Sequence, residues 1–252
     1  MPFGLLKYGL ARTYPGKNLF GKARPLKQSY DVVIIGAGGH GAACAYYLAK
    51  EHGITNVAVL DKGYLGGGNT ARNTAVLRSN YLTEAGVAFY KASLELYKSL
   101  SSELDLNIMF EQRGQLTLAH SDAAVRNLRW RAEVNQHLGV RSELMFNDEI
   151  AKMLPHLRMD ADARYPILAG LWHADGGTAR HDAVVWGYAK EAAARGVEFH
   201  QLTEATGIDI ADGKVTGVRT TRGDISCGKI IQAVAGSSSV VGNMAGIKLP
   251  IH

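Results

Sequence analysis

Residues 31–61, DVVIIGAGGHGAACAYYLAKEHGITNVAVLD, decide how the chain folds. They read strand, glycine turn, helix, strand, acid. The run DVVII (31–35) is apolar and β-branched, the pattern of a strand buried on both faces of a parallel sheet. Gly36, Gly38 and Gly41 follow as G-x-G-x-x-G. The first glycine allows a tight turn, the second lets a pyrophosphate approach the backbone, and the third lets helix and strand pack closely. A helix expected over 40–52 starts at that turn, so its free N–H groups and positive dipole end face a phosphate. The second strand, 57–60, ends at Asp61, placed to accept hydrogen bonds from an adenosine ribose. A bare G-x-G-x-x-G says little; strand, helix and acid in register around it indicate a dinucleotide-binding unit.

Outward from this stretch, 252 residues suffice for one large domain or two small ones with an apolar core. The formal charge of +5 is unevenly spread. Residues 1–30 hold Lys7, Arg12, Lys17, Lys22, Arg24 and Lys27 and no acid; removing these six from the chain's 28 leaves 22 basic against 23 acidic residues. The arm reads as a solvated tail or partner contact. It lacks the aromatic-basic interleaving of nucleic-acid surfaces, so no nucleic-acid partner is expected. No apolar run suits a secretory leader or a membrane span, and Ser29 is the arm's one serine, unlike a Ser-rich transit peptide. Cys44 and Cys227 lack metal-ligand spacing and read as small buried hydrophobes in a reducing compartment. The expectation is a cytoplasmic protein with no metal site.

After Asp61, the small polar loop 63–74 cannot be core and lies where a doubly wound sheet binds its ligand. A helix is expected over 84–104, capped by Thr83, with Val87, Tyr90, Leu94 and Tyr97 on one stripe. GQLTLAH (114–120) alternates like a half-exposed strand, Ser121 caps a helix that Gly139 ends, and a short helix over 147–154 stops at Pro155. Asp182 is expected to cap a helix over 183–195, closed by Gly196 and followed by strand 197–202. Strands 205–210 and 215–221 flank the Asp212-Gly213 turn as a hairpin, and buried strand 229–235 runs into the small-residue turn 236–239.

Nicotinamide and flavin enzymes share the glycine fingerprint. Two features favour flavin: the nucleotide domain is interrupted and resumes near residue 180, and the late strand ends in AVAGSSS, which brings backbone close to a bound dinucleotide. Residues 33–60, 66–81, 113–120, 179–186 and 215–250 resemble the β subunit of heterotetrameric sarcosine oxidase, a branch of the glycine oxidase/D-amino-acid oxidase flavoprotein superfamily. GGHG (38–41), NTARNT (69–74), LRSNY (77–81), ARHD (179–182) and TTRG (220–223) carry the likeness.

The resemblance implies an α/β fold: a Rossmann-like FAD-binding domain with an inserted mixed α+β substrate domain, incomplete at the C-terminus. Residues 1–30 form the basic arm, 31–105 and 176–246 the FAD-binding domain, and 106–175 with 247–252 part of the substrate domain. It implies non-covalent FAD contacted by Gly36, Gly38, Gly39, His40, Gly41, Asp61, Asn69, Thr70, Thr74, Val76 and Ala205. It also implies FMN joined covalently to His181 with Arg180 beside it; a neutral imidazole nitrogen can attack an activated flavin methyl group, and Arg180 could stabilise the anionic ring. His173 is the competing histidine, with no motif behind it. The implied activity is oxidation of a secondary amino acid such as sarcosine to glycine and formaldehyde or methylene-tetrahydrofolate, with hydrogen peroxide, in a multisubunit oxidase. Its carboxylate substrate needs a cation, for which Arg72 and Arg78 are the candidates. Two departures stand out: Ala205 replaces the family's valine, and Gly236-Ser237-Ser238-Ser239 replaces G-H-S-S, so no role transfers from that histidine. Family members continue well past Pro250, so the chain reads as an N-terminal portion, inactive alone, that lacks a downstream active-site lysine. A single-flavin glycine oxidase-like oxidase or dehydrogenase and a non-catalytic FAD-binding scaffold are the alternatives.

Overall fold

The computed structural model describes Leu10 and residues 24–251. Most of the basic arm, including Lys7, Arg12, Lys17 and Lys22, lies outside the described residues. The chain divides into two compact units, one running to Tyr64 and resuming at Ala189, the other Leu65–Tyr188.

The first unit is built on β1 (Ser29–Ile35), which the glycine turn joins to α1 (Gly39–His52), and on β2 (Val57–Leu60). All four residues of β2 are fully buried, as are Val33 and Ile34 of β1. Each such Val, Leu or Ile gives roughly 1.5–3 kcal/mol relative to exposure. Gly53 ends α1 in the left-handed conformation, with Lys50 and His52 in the last turn complementing the dipole. The sheet order is β8-β2-β1-β11-β10-β9, with β8 (Glu198–His200), β9 (Ala205–Ala211), β10 (Lys214–Thr220) and β11 (Ile225–Gln232). β8, β2, β1 and β11 run parallel, and the β9–β10 hairpin adds an antiparallel edge. Asp212 (φ 50°) and Gly213 (φ 71°) are both left-handed, the geometry that a two-residue hairpin turn demands. The expected small-residue turn after β11 is instead a 3₁₀ turn, Ala235–Ser237, that opens a helix over Ser238–Met244.

A buried polar knot ties β1 to β8. The Tyr30 hydroxyl donates to Glu198 Oε2 (2.7 Å), lies 3.2 Å from His200 Nε2, and accepts from the Lys27 N–H (3.0 Å). Burial, with Glu198 beside it, pushes the Tyr30 phenol up to about 12. Burial raises the Glu198 carboxyl too, but hydrogen bonds from Tyr30 and Lys27 outweigh it and hold the group below its ordinary value. Burial pushes the His200 imidazole down against the pull of Glu198.

In the second unit, β3 (Val76–Leu77) pairs antiparallel with β7 (Gly177–Thr178). A separate antiparallel sheet, in the order β4-β6-β5, comprises β4 (Gln115–Ala119), β5 (Ser142–Met145) and β6 (Ala169–His173). Helix α2 (Glu84–Glu103) is capped by Thr83, whose hydroxyl accepts the Gly86 N–H, and α3 (Asp122–His137) by Ser121 in the same way. The cluster Leu128, Ala132, Ala119, Ala169 and Leu171 packs α3 on this sheet. Helix α4 (Asn147–Met153) follows, and α5 (His181–Ala194) carries the chain back to the first unit. Tyr90 departs from the expected stripe: Val87 and Leu94 are buried, but Tyr90 is exposed and stacks on Tyr81 (3.9 Å, 14°). The cap of α5 is also displaced. The helix starts at His181, the Val184 N–H bonds to the Arg180 carbonyl, and Asp182 lies inside the first turn.

His173 and His200 are buried and both lowered by burial, so the unfolded chain takes up more protons than the folded one as pH falls below about 6.5. Stability should therefore fall between about pH 7 and 5, before the lowered carboxylates Glu198 and Asp175 protonate. Melting temperatures across that window check this, and His200→Gln should flatten the slope. A flat wild-type profile contradicts it.

Candidate functional site

The first unit presents a cradle at the carboxyl ends of β1 and β2. Gly36 turns with φ +106°, its N–H donates to the Leu60 carbonyl (2.8 Å), and a Cβ there would lie 2.3 Å from the Ala233 carbonyl oxygen. A Cβ on Gly41 would lie 1.9 Å from the Gly36 carbonyl oxygen. Both positions exclude any side chain. Gly38 caps α1 without a side-chain hydrogen bond, no acid stands in the first turn, and His40 is exposed. The helix end therefore offers backbone N–H groups and positive dipole to an anion. Asp61 Oδ2 accepts the Ala37 N–H and Oδ1 the Gly63 N–H, each at 2.8 Å. These bonds fix the carboxylate and leave two of its roughly four acceptor positions for hydroxyls. Backbone bonds from Thr203 to Asp61 and Leu202 to Gly63 bring the approach to Ala205, the first residue of β9, beside this acid. The cradle fits the adenosine and pyrophosphate of a dinucleotide.

In the second unit, Asn69, Thr70 and Arg72 lie in a 3₁₀ turn, Asn69–Arg72, held by Asn73, whose amide donates to the Thr70 carbonyl (2.6 Å) and accepts the Ala75 N–H (2.7 Å). Thr74 and Val76 are exposed. Ala75, at φ 60°, turns its carbonyl to the Ala179 N–H. Thr178 exchanges two backbone bonds with Glu111, and the Arg180 N–H donates to the Ile108 carbonyl. His181 thus follows a segment pinned at every residue from Gly177, and its buried Nδ1 has no hydrogen-bond partner among the described residues. Arg180 forks onto Asp182 (2.8 and 2.6 Å), which lowers that carboxyl to about 2. Sequence reasoning overlooked this partner, although the i, i+2 spacing was in view.

His173 is different. It is fully buried, Nε2 accepts the Ser79 N–H (3.2 Å), and Nδ1 faces the Arg141 carbonyl (3.1 Å). A ring with Nε2 accepting and Nδ1–H donating is neutral, and burial lowers its pKa. The Ser79 hydroxyl also lies 3.3 Å from Nε2, so both ring nitrogens are occupied by the chain's own groups.

The two arginine candidates separate. Arg72 is exposed; Arg78 is half-buried, 4.9 Å from the Tyr81 ring centroid, with a 3.4 Å bond to Asn80 Oδ1. Among the described residues no His, Cys, Asp and Glu side chains gather as a metal site, and no helix is long and apolar enough to cross a membrane.

Residues 31–252 match the family model described as FAD dependent oxidoreductase (DAO). The chain is similar to "Sarcosine oxidase subunit beta" of Rhodobacter capsulatus (48% identical) and of Rhizobium meliloti (51%), in each case over 90% of this chain and 54% of the relative. It spans about half the length of these curated relatives. Among solved structures, the L-proline dehydrogenase from P. horikoshii superposes with a TM-score of 0.80 at 30% identity, over 90% of this chain and 58% of that one.

Asp61→Ala should leave the Ala37 and Gly63 N–H groups without acceptors and cost about 1–3 kcal/mol in unfolding free energy. Urea melts measure this, and an unchanged midpoint contradicts the role given to Asp61.

Proposed function

This chain belongs to the FAD dependent oxidoreductase (DAO) family, and on that premise we propose that it is the FAD-binding portion of a β subunit that oxidises a secondary amino acid, sarcosine foremost, within a multisubunit oxidase. The observation that carries this reading is the side-chain-free cradle formed by Gly36, Gly38 and Gly41 with the oriented carboxylate of Asp61. The relatives' names supply the substrate.

When bound, FAD supplies the acceptor for the hydride leaving the N-methyl carbon. The chain's own residues bind and orient. Gly39, His40 and Gly41 direct helix N–H groups at the pyrophosphate, Asp61 accepts the ribose hydroxyls, and the approach to Ala205 borders the adenine. We assign Asn69, Thr70, Thr74 and Val76 to the same cofactor, residues 31–105 and 176–246 to the FAD-binding domain, and 106–175 with 247–252 to part of the substrate domain. Arg78, and secondarily Arg72, orients the substrate carboxylate. With dioxygen as the final electron acceptor and water hydrolysing the imine, the products are glycine, formaldehyde (methylene-tetrahydrofolate where tetrahydrofolate takes the carbon) and hydrogen peroxide.

His181 would hold a second flavin, FMN, through a ring nitrogen. The support is its partnerless buried Nδ1 at the end of a pinned backbone segment, a geometry His173 lacks. Arg180, already forked onto Asp182, places a stabilised cation beside it.

Acid precipitation of the complete subunit, purified with its partner subunits, tests this. The washed pellet should stay yellow while FAD appears in the supernatant. His181→Ala should empty the pellet of flavin and His173→Ala should not; the reverse pattern sinks the assignment. Anaerobic sarcosine should bleach the flavin absorbance of the same assembly, and absence of bleaching contradicts the activity.

A further inference from the structure

Leu65–Tyr188 gathers positive charge and spare hydrogen-bond donors in one place. Asn80 is fully buried; its Oδ1 faces Arg78, and its Nδ2 has no partner. Asn135 of α3, also fully buried, donates its amide to the Tyr81 carbonyl (2.6 Å) and so fixes the Arg78–Tyr81 segment against α3, while its own Oδ1 has no partner among the described residues. Arg131 lies one helical turn before Asn135, on the same face of α3, and its Nε is buried without a partner. Burial and the charge of Arg78 hold Arg131 below its ordinary value, so the two cations feel each other. Among the described residues neither arginine pairs with a carboxylate. Tyr81 stacks on the exposed Tyr90, and Arg78 rests on the Tyr81 ring.

Two guanidinium groups and an unfilled buried amide form an unfavourable arrangement by themselves, because like charges repel and desolvated N–H groups go unpaired. A bound anion removes both penalties. We infer that Arg131 and Asn80 join Arg78 in an oxyanion pocket that takes a carboxylate bearing a small aliphatic group. The inference rests on the reading of Arg78 as the substrate-carboxylate contact and adds Arg131 and Asn80 to it. A carboxylate has two coplanar oxygens with about four acceptor positions. Those oxygens match the flat guanidinium forks of Arg131 and Arg78, with the Asn80 amide as a further donor. The aromatic stack accommodates the aliphatic part. Arg131 here touches the carboxylate itself and sets its affinity and orientation.

The test is the melting temperature of this chain, without added flavin, titrated with sodium acetate at constant ionic strength against chloride, and in parallel with inorganic phosphate. Acetate should give a saturable rise. Arg131→Gln should raise the apparent dissociation constant for acetate at least about tenfold, the loss expected for one charge-assisted fork. Arg131→Lys, which keeps the charge and loses the planar fork, should fall between. Should Arg131→Gln not fold, Asn80→Asp serves: it places a carboxylate of the chain's own beside Arg78, so the melting temperature should rise without ligand and the acetate response should vanish. An equal acetate response in wild type and Arg131→Gln overturns the pocket, and a response to phosphate but not to acetate overturns its assignment to a carboxylate. Because flavin plays no part, this result is separable from sarcosine bleaching: an intact acetate response beside failed bleaching condemns the oxidase reading, not the pocket.

Discussion

Three backbone segments meet at Gly36 with no space for a single side-chain carbon. The end of β1, Ala233 just after β11 and the first turn of α1 at Gly41 approach so closely that a Cβ at Gly36 or Gly41 would lie 2.3 or 1.9 Å from a carbonyl oxygen. Neither neighbour is a flexible side chain that could swing aside; both are backbone. The parallel register of β1 with β2 and β11 depends on this junction, and so does the aim of the α1 N-terminus. Asp61 completes the arrangement by accepting one N–H from the turn and one from the chain after β2. The same contacts therefore set the strand order and leave the helix end open to an anion. Structure and binding share one cause here.

The β1–α1–β2 unit was legible because its information is local. Apolar β-branched runs, glycine spacing and a terminal acid all sit within 31 residues of chain, from residue 31 to residue 61. The β9–β10 hairpin was equally readable, because Asp212-Gly213 specifies a turn whose conformation few other pairs adopt. Long-range approaches were not. Nothing local to Gly36 reveals Ala233, and nothing near Tyr81 announces Asn135, since both pairings are settled by how distant segments pack. Tyr90 was misread because helical spacing identifies a face without saying what covers its margin. Strands β5 and β6 escaped notice because SELM and AGLWH neither alternate polar with apolar residues nor form an unbroken β-branched run.

The histidines show what geometry adds to motif. His173 and His181 stand eight positions apart in the chain, and burial alone would favour His173. Hydrogen bonding reverses the ranking: the Ser79 N–H and Arg141 carbonyl occupy both His173 nitrogens, whereas His181 Nδ1 is left open. A donor count likewise isolates Arg131, which no sequence motif marks. Charge without a counterion, inside a partly dry setting, is costly enough to call for a ligand.

The central claim is that the glycine turn recognises the adenosine diphosphate half of a flavin dinucleotide. Its most direct test is equilibrium titration of this chain with FAD, followed by displacement with ADP and with FMN. The account predicts saturable one-to-one binding that ADP displaces and FMN does not, because the contacts of Asp61 and the α1 N-terminus serve ribose and pyrophosphate. Absence of binding, or displacement by FMN and not by ADP, would contradict it.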